Sequence, residues 1–410
     1  MEVLYPHCAG LDVHKESVVA CSRQVEEGAV TVQVRTFKTT TRELIALSDW
    51  LGAQGCTHIA MEATGVYWKP VWHILADGGF VLVLANASHV KNVPGRKTDV
   101  NDAAWLADLM AHGLIRASMV PDQPTQQMRD LLRTRKQLVR EQSRHIQRLQ
   151  KTLEDANIKL DSVVTDVVGL SGRRILEALI AGRSEPQALA RLAHRRIRAS
   201  KEELEAALEG RLTNHHRFLL KLHLDQIDAI DAAIVRIDEE VDRQVEPFRA
   251  AIELLSSIPG LSRLSAQMVV GEMGIEMNRF PTAGHLVSWA GLCPKNDESA
   301  GKRRSTRMKK GAPWLKTLLI QCAWAAIRTK NSYLQALYQR LRSRRGSKKA
   351  IGAVAASILT AAYHMLHNGT FYQDPGPNHF NPGAKARQVS RLLTRLQNLG
   401  YDVNLSPIAP

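Results

Sequence analysis

The chain has 410 residues, 44% hydrophobic and 23% charged, the composition of an ordinary globular protein with room for two or three domains. Its five cysteines show no CxxC spacing and read as reduced thiols, which excludes a disulfide framework. No leader is visible and charge breaks the longest apolar runs short of a membrane span, so the expectation is a cytoplasmic protein with no membrane partner.

Residues 5–115 alternate strand and helix signals. Apolar alternation predicts strands over 7–13, 17–23, 30–37, 57–62 and 80–85, and a 3.6-residue period predicts helices over 41–53, 67–77 and 99–112. Three strands, then helix, strand, helix, strand and helix is the order of a ribonuclease-H-like α/β domain. Asp12 falls on the first strand, Glu62 on the fourth, and Asp99 and Asp102 on the closing helix. Helical phase turns that last pair toward the stripe of Ala103, Leu106 and Met110. Either one alone would read as an N-cap or first-turn residue.

Residues 125–250 read as mostly helix. Eight Lys and Arg lie between Arg129 and Lys151, against only Asp130 and Glu141. Ile227, Ile230, Ile234, Ile237 and Val241 repeat at 3-4-3-4 spacing, which fits a coiled-coil partner or packing within the chain equally well. Between these stretches, 163–212 is a less regular helical region broken by glycines, and its role is not legible.

Residues 251–370 form a further unit, opening on Ile258-Pro259-Gly260-Leu261-Ser262. This pattern is half of a helix-hairpin-helix, although Ser262 stands where a second glycine is usual and a plain helix-to-helix turn is a rival reading. Residues 301–350 hold fifteen Lys and Arg and no Asp or Glu. A merely solvated face mixes signs, whereas a one-signed tract is what a nucleic-acid backbone requires. Residues 371–410, rich in proline at first and then a short basic helix, read as a peripheral tail.

Ionised carboxylates on half-buried elements are costly unless something positive compensates them, and several converging acids point to a hard divalent ion. Asp12, Glu62, Asp99 and Asp102 are therefore the candidate metal ligands, with phosphoryl transfer as the chemistry. Lys97 lies beside them, positioned to hold a nucleic-acid backbone. Lys302, Arg303, Arg304, Arg307, Lys309 and Lys310 are the candidate nucleic-acid contacts of the basic tract. Ser299, among small residues just ahead of that tract, is a weak candidate nucleophile on the residues alone.

The chain resembles the DEDD-type insertion-sequence transposases. The resemblance rests on Gly10-Leu11-Asp12-Val13-His14-Lys15, Met61-Glu62-Ala63-Thr64-Gly65 and Lys97-Thr98-Asp99-Val100-Asn101-Asp102-Ala103. In the C-terminal unit it rests on Ser288-Trp289-Ala290-Gly291-Leu292-Cys293-Pro294, Ser299-Ala300-Gly301-Lys302-Arg303-Arg304 and Lys309-Lys310-Gly311. It implies a RuvC-like (ribonuclease-H-fold) domain over 1–124, a helical, coiled-coil-like assembly region over 125–250 and a mainly α-helical transposase domain over 251–370. It further implies Mg²⁺, with Mn²⁺ as a substitute, on the acidic quartet, and Ser299 as a nucleophile that becomes joined to DNA. Donor and target DNA, a structured guide RNA (the bridge RNA) and a dimer or tetramer with composite active sites complete the expectation. The rival readings are a RuvC-like nuclease or Holliday-junction resolvase that needs the acids but not Ser299, and a non-catalytic nucleic-acid scaffold.

Overall fold

The computed structural model describes residues 2–62, 65–85, 90, 102–295, 297–299, 301–305, 307–380 and 384–403. Residues Met1–Val120 and Pro121–Pro410 form two compact units.

The first unit is mixed α/β. Its elements are β1 (His7–Val13), β2 (Ser17–Glu26), β3 (Ala29–Lys38), α1 (Thr41–Ala53), β4 (His58–Glu62), α2 (Trp68–Ala76), β5 (Val81–Ala85) and α3 (Asp102–Ala111). The five strands lie in the order β3-β2-β1-β4-β5. The first three pair antiparallel, while β1, β4 and β5 are parallel. Strand alternation sorts the two faces. Ala9, Leu11 and Val13 pack with Leu44, Leu47 and Leu51 of α1 and Val71 and Leu75 of α2. Cys8 and Ala60 instead pack with Met110 and Ala111 of α3, and Cys21 with Ala103 and Ala107.

The second unit is mostly helical. A 33-residue helix α4 (Gln123–Asp155) is followed by α5 (Leu160–Val163), α6 (Leu170–Ile180), α7 (Pro186–Ala190) and α8 (Lys201–Leu208), then by α9 (Asn214–Gln244). Arg135 bonds Asp238, Gln142 bonds Asp231 and His145 meets His223, so α4 and α9 run antiparallel against each other. The isoleucine seam is thus used within the chain, with Ile227 and Val241 buried. The region 163–212, illegible in sequence, closes over the ends of this pair. Leu160, Ile175, Leu176, Leu179, Leu189 and Leu208 share one core with Leu149, Leu153, Leu220 and Leu224.

The remaining helices are α10 (Arg249–Ser256), α11 (Arg263–Met273), α12 (Ala283–Trp289), α13 (Pro313–Ala326), α14 (Tyr333–Arg345), α15 (Ser347–Asn368) and α16 (Ala384–Asn398), with a small hairpin, β6 (Asp297–Ser299) and β7 (Lys302–Ser305), between α12 and α13. Helix α4 is bolted to α11 by its own arginines. Arg129 donates to the Gly271 and Glu272 carbonyls at the end of α11, and Arg133 makes a two-pronged bond to the buried Glu272 carboxylate at 2.7 and 2.8 Å. Part of the basic stripe read from sequence is therefore consumed inside the fold. Among the described residues, α15 is long and apolar enough to cross a membrane, but Ile351, Val354, Ile358 and Leu359 are buried in the protein core.

Candidate active site

One glycine seats the helix that carries Asp102, a candidate site residue of the first unit. A Cβ on Gly10 would lie 2.1 Å from the Ala103 carbonyl oxygen and 2.4 Å from the Ala107 nitrogen, so the α3 backbone rests directly on β1. Cys8 Sγ reaches the Ala107 carbonyl, and Met110 and Ala111 pack on Cys8, so α3 runs back along β1 from its carboxyl end. Asp12 lies two residues beyond Gly10 on the same strand face, level with the start of α3 at Asp102.

Glu62 joins them by register. Leu11 pairs with Met61 across the parallel β1–β4 ladder, which sets Glu62 beside Asp12 on that face. Glu62 in turn pairs with Ala85. Leu106 and Leu109, on the same helical stripe as Asp102, pack against Ala85. All three acids are half-buried. The strand ends and the helix start thus bring Asp12, Glu62 and Asp102 to the same end of the sheet, at the carboxyl ends of the central strands β1 and β4. Asp99 and Lys97 lie outside the described residues.

The donor chemistry is all carboxylate oxygen, which suits a hard divalent ion such as Mg²⁺ and not a thiolate-seeking metal. The described side chains do not form a cluster of three or more metal donors. Asp12 Oδ2 is engaged by His14 Nε2 at 3.1 Å.

In the second unit, Ser299 ends β6 and pairs with Lys302, the first residue of β7. The hairpin is anchored at its base. Lys295 N donates to the Arg307 carbonyl, and Lys309 N to that of Cys293. There Gly291 and Gly311 cross so closely that a Cβ on Gly311 would meet the Gly291 nitrogen at 2.4 Å. Lys309 Nζ also bonds Ser288 Oγ at 3.2 Å, tying the two motifs together. Lys302, Arg307 and Lys310 are exposed and Lys309 is half-buried, while Arg303 and Arg304 lie on β7. The Pro259-Gly260 turn does join two helices, α10 and α11. Gly260 has φ +87°, and a Cβ there would sit 2.5 Å from the Cys322 carbonyl oxygen and the Ala326 nitrogen. The turn's glycine serves a close approach to α13, and Ser262 is spent as the N-cap of α11.

Residues 9–158 match a family model described as Transposase, of the DEDD IS110 type, and residues 252–339 match that of the Transposase IS116/IS110/IS902 family. Together these segments exceed half the chain. The chain belongs to the IS110-type transposase family. It is similar, at 24% identity over 375 residues, to the transposase of insertion sequence IS1111A from Coxiella burnetii, covering 89% of this chain and 90% of that one. An uncharacterised 43.6 kDa protein of insertion element IS110 from Streptomyces coelicolor is 25% identical over 312 residues, 69% of this chain and 74% of the relative. A Sinorhizobium fredii relative is 25% identical over 303 residues, and the chain spans 65% of its length, just under two thirds. The IS110-type family is one of DNA-acting enzymes, and its DEDD character points to a divalent metal.

Proposed function

We propose that this chain is the recombinase of an insertion element, cutting and rejoining DNA through Ser299 with metal assistance from Asp12, Glu62, Asp99 and Asp102. The observation that carries the reading is the close seat of α3 on Gly10, which brings Asp102 to the carboxyl ends of β1 and β4, the end that also carries Asp12 and Glu62. The sheet order β3-β2-β1-β4-β5, with its antiparallel and parallel halves, supports a ribonuclease-H-like (RuvC-like) identity for the first unit.

A bound Mg²⁺, with Mn²⁺ as a substitute, would supply Lewis-acid stabilisation of the phosphate charge. Asp12, Glu62, Asp99 and Asp102 would hold it, and His14 orients Asp12. Ser299 Oγ forms a bond to phosphorus as the bond to the departing DNA oxygen breaks, leaving a phosphoserine link that a second strand's hydroxyl resolves. Lys302 flanks Ser299 on the hairpin, and Lys97, Arg303, Arg304, Arg307, Lys309 and Lys310 hold the DNA backbone. The same basic surfaces suit a structured guide RNA, and acting on two DNA sites calls for a dimer or tetramer.

The test is strand cleavage of DNA carrying the element's ends, with Asp12→Asn and Glu62→Gln compared with the parent chain. Both variants should keep their fold and lose cleavage by roughly a hundredfold or more. Unchanged cleavage in either would remove the acids from the mechanism.

A further inference from the structure

Toward the carboxyl end of α4 and the amino end of α9, the two helices face each other with two histidines. His145 Nδ1 and His223 Nδ1 are 3.4 Å apart, and the rings meet at 65°. As a hydrogen bond this contact is poor, since N–H donors normally sit about 2.9–3.0 Å from their acceptors. It has another natural explanation. Two metal–imidazole bonds of about 2.0–2.1 Å meeting at a tetrahedral angle place their nitrogens about 3.3–3.4 Å apart.

We propose that His145 and His223 form a transition-metal site, for an ion of the Zn²⁺ class, that cross-braces α4 and α9. This site is separate in kind from the carboxylate set. Imidazole nitrogen suits Zn²⁺, Ni²⁺ or Cu²⁺ and is a poor ligand for Mg²⁺. Water completes the coordination shell, because no third His, Cys, Asp or Glu joins the pair among the described residues.

The surroundings fit a ligand role. Both rings are half-buried at the rim of the core formed by Leu149, Leu220, Leu224 and Ile227, so their helices are held in place by packing. His223 also borders an open cleft of about 660 Å³ that Arg148, Thr152, Asp155 and Leu219 line, through which a hydrated ion can arrive. Burial, then His145 and Arg148, hold the His223 pKa below its ordinary value, which keeps that imidazole neutral and its lone pair available. The Arg148 charge also repels a cation, so binding is moderate and reversible.

The test is calorimetric titration of the full chain with Zn²⁺ in millimolar Mg²⁺, paired with thermal melting. The parent chain should bind one Zn²⁺ and melt at a higher temperature with it. His145→Gln and His223→Gln should each weaken binding at least tenfold, His145→Cys should retain it, and His215→Gln, at an exposed neighbouring histidine, should change nothing. A second measurement needs no variant: Co²⁺ added to the parent chain should give a tetrahedral visible spectrum that Zn²⁺ displaces. Absence of that spectrum, or Zn²⁺ binding that survives both Gln substitutions, would overturn the proposal.

Discussion

A methyl group at position 10 would lie 2.1 Å from the Ala103 carbonyl oxygen, and the nearby α3 backbone leaves it nowhere to go. Glycine there is what allows a helix to press its backbone onto a strand and to carry Asp102 to the level of Asp12. Gly10→Ala should therefore cost about 3 kcal/mol of stability, at the high end for overpacking, measured as a shift in denaturant midpoint. It should also remove cleavage in the fraction that stays folded. The acids were read from sequence as single residues on half-buried elements, and their convergence from the order of strands and helices. The contact that seats α3 on β1 was not legible, because it joins residues nearly a hundred apart. The first unit also buries thiols, Cys8 and Cys21 on this face and Cys56 in the core under α1 and α2. Burial pushes Cys8 up to about 12 despite the nearby Arg23, and Cys21 and Cys56 to about 11, from an ordinary 9.0. Raised folded-state values mean that this contribution is intact below pH 9. It is lost as pH climbs toward 11, by up to about 1.4 kcal/mol per pH unit for each thiol. Denaturant midpoints at pH 8 and pH 10 should fall more steeply in the parent chain than in Cys21→Ala, and an equal slope would refute the assignment.

At the scale of elements, the strands and helices of the first unit were readable because each combines a clean period with turn residues at its ends. Strands 7–13 and 57–62 match β1 and β4 to within a residue. The β6–β7 hairpin was not readable: strands of three and four residues are too short for any period to show. Nor could the isoleucine spacing of α9 say whether its partner was α4 or another molecule, since both demand the same seam. The Pro259-Gly260 turn had the pattern of a phosphate-facing loop, yet its glycine is committed to packing on α13. The hairpin's own geometry hangs on Gly291 and Gly311. Gly311→Ala must push the two apart, so cleavage should fall by tenfold or more while the helical content read by circular dichroism stays near that of the parent chain. Parent-level cleavage in that variant would mean the hairpin base can shift freely.

Over the whole molecule, the charge of +15 gave the partner class before any fold was known, and its uneven placement mattered more than its size. The structure divides that charge by task. Arg129, Arg133 and Arg135 are spent on α11 and α9. Lys302, Arg307 and Lys310 remain exposed around the Ser299 hairpin. Asp12, Glu62 and Asp102 stand in one unit and Ser299 in the other. Under the proposed function, a covalent bond between Ser299 and DNA is what distinguishes a recombinase from a metal nuclease. The direct measurement is to react the chain with Mg²⁺ and a nicked DNA substrate carrying the element's end, denature it, and map any protein-bound nucleotide by mass spectrometry. The expected result is a denaturation-resistant adduct on Ser299 that is absent from Ser299→Ala and from Asp12→Asn. Full strand cleavage by Ser299→Ala, with no adduct in the parent chain, would contradict it and leave a water-using nuclease.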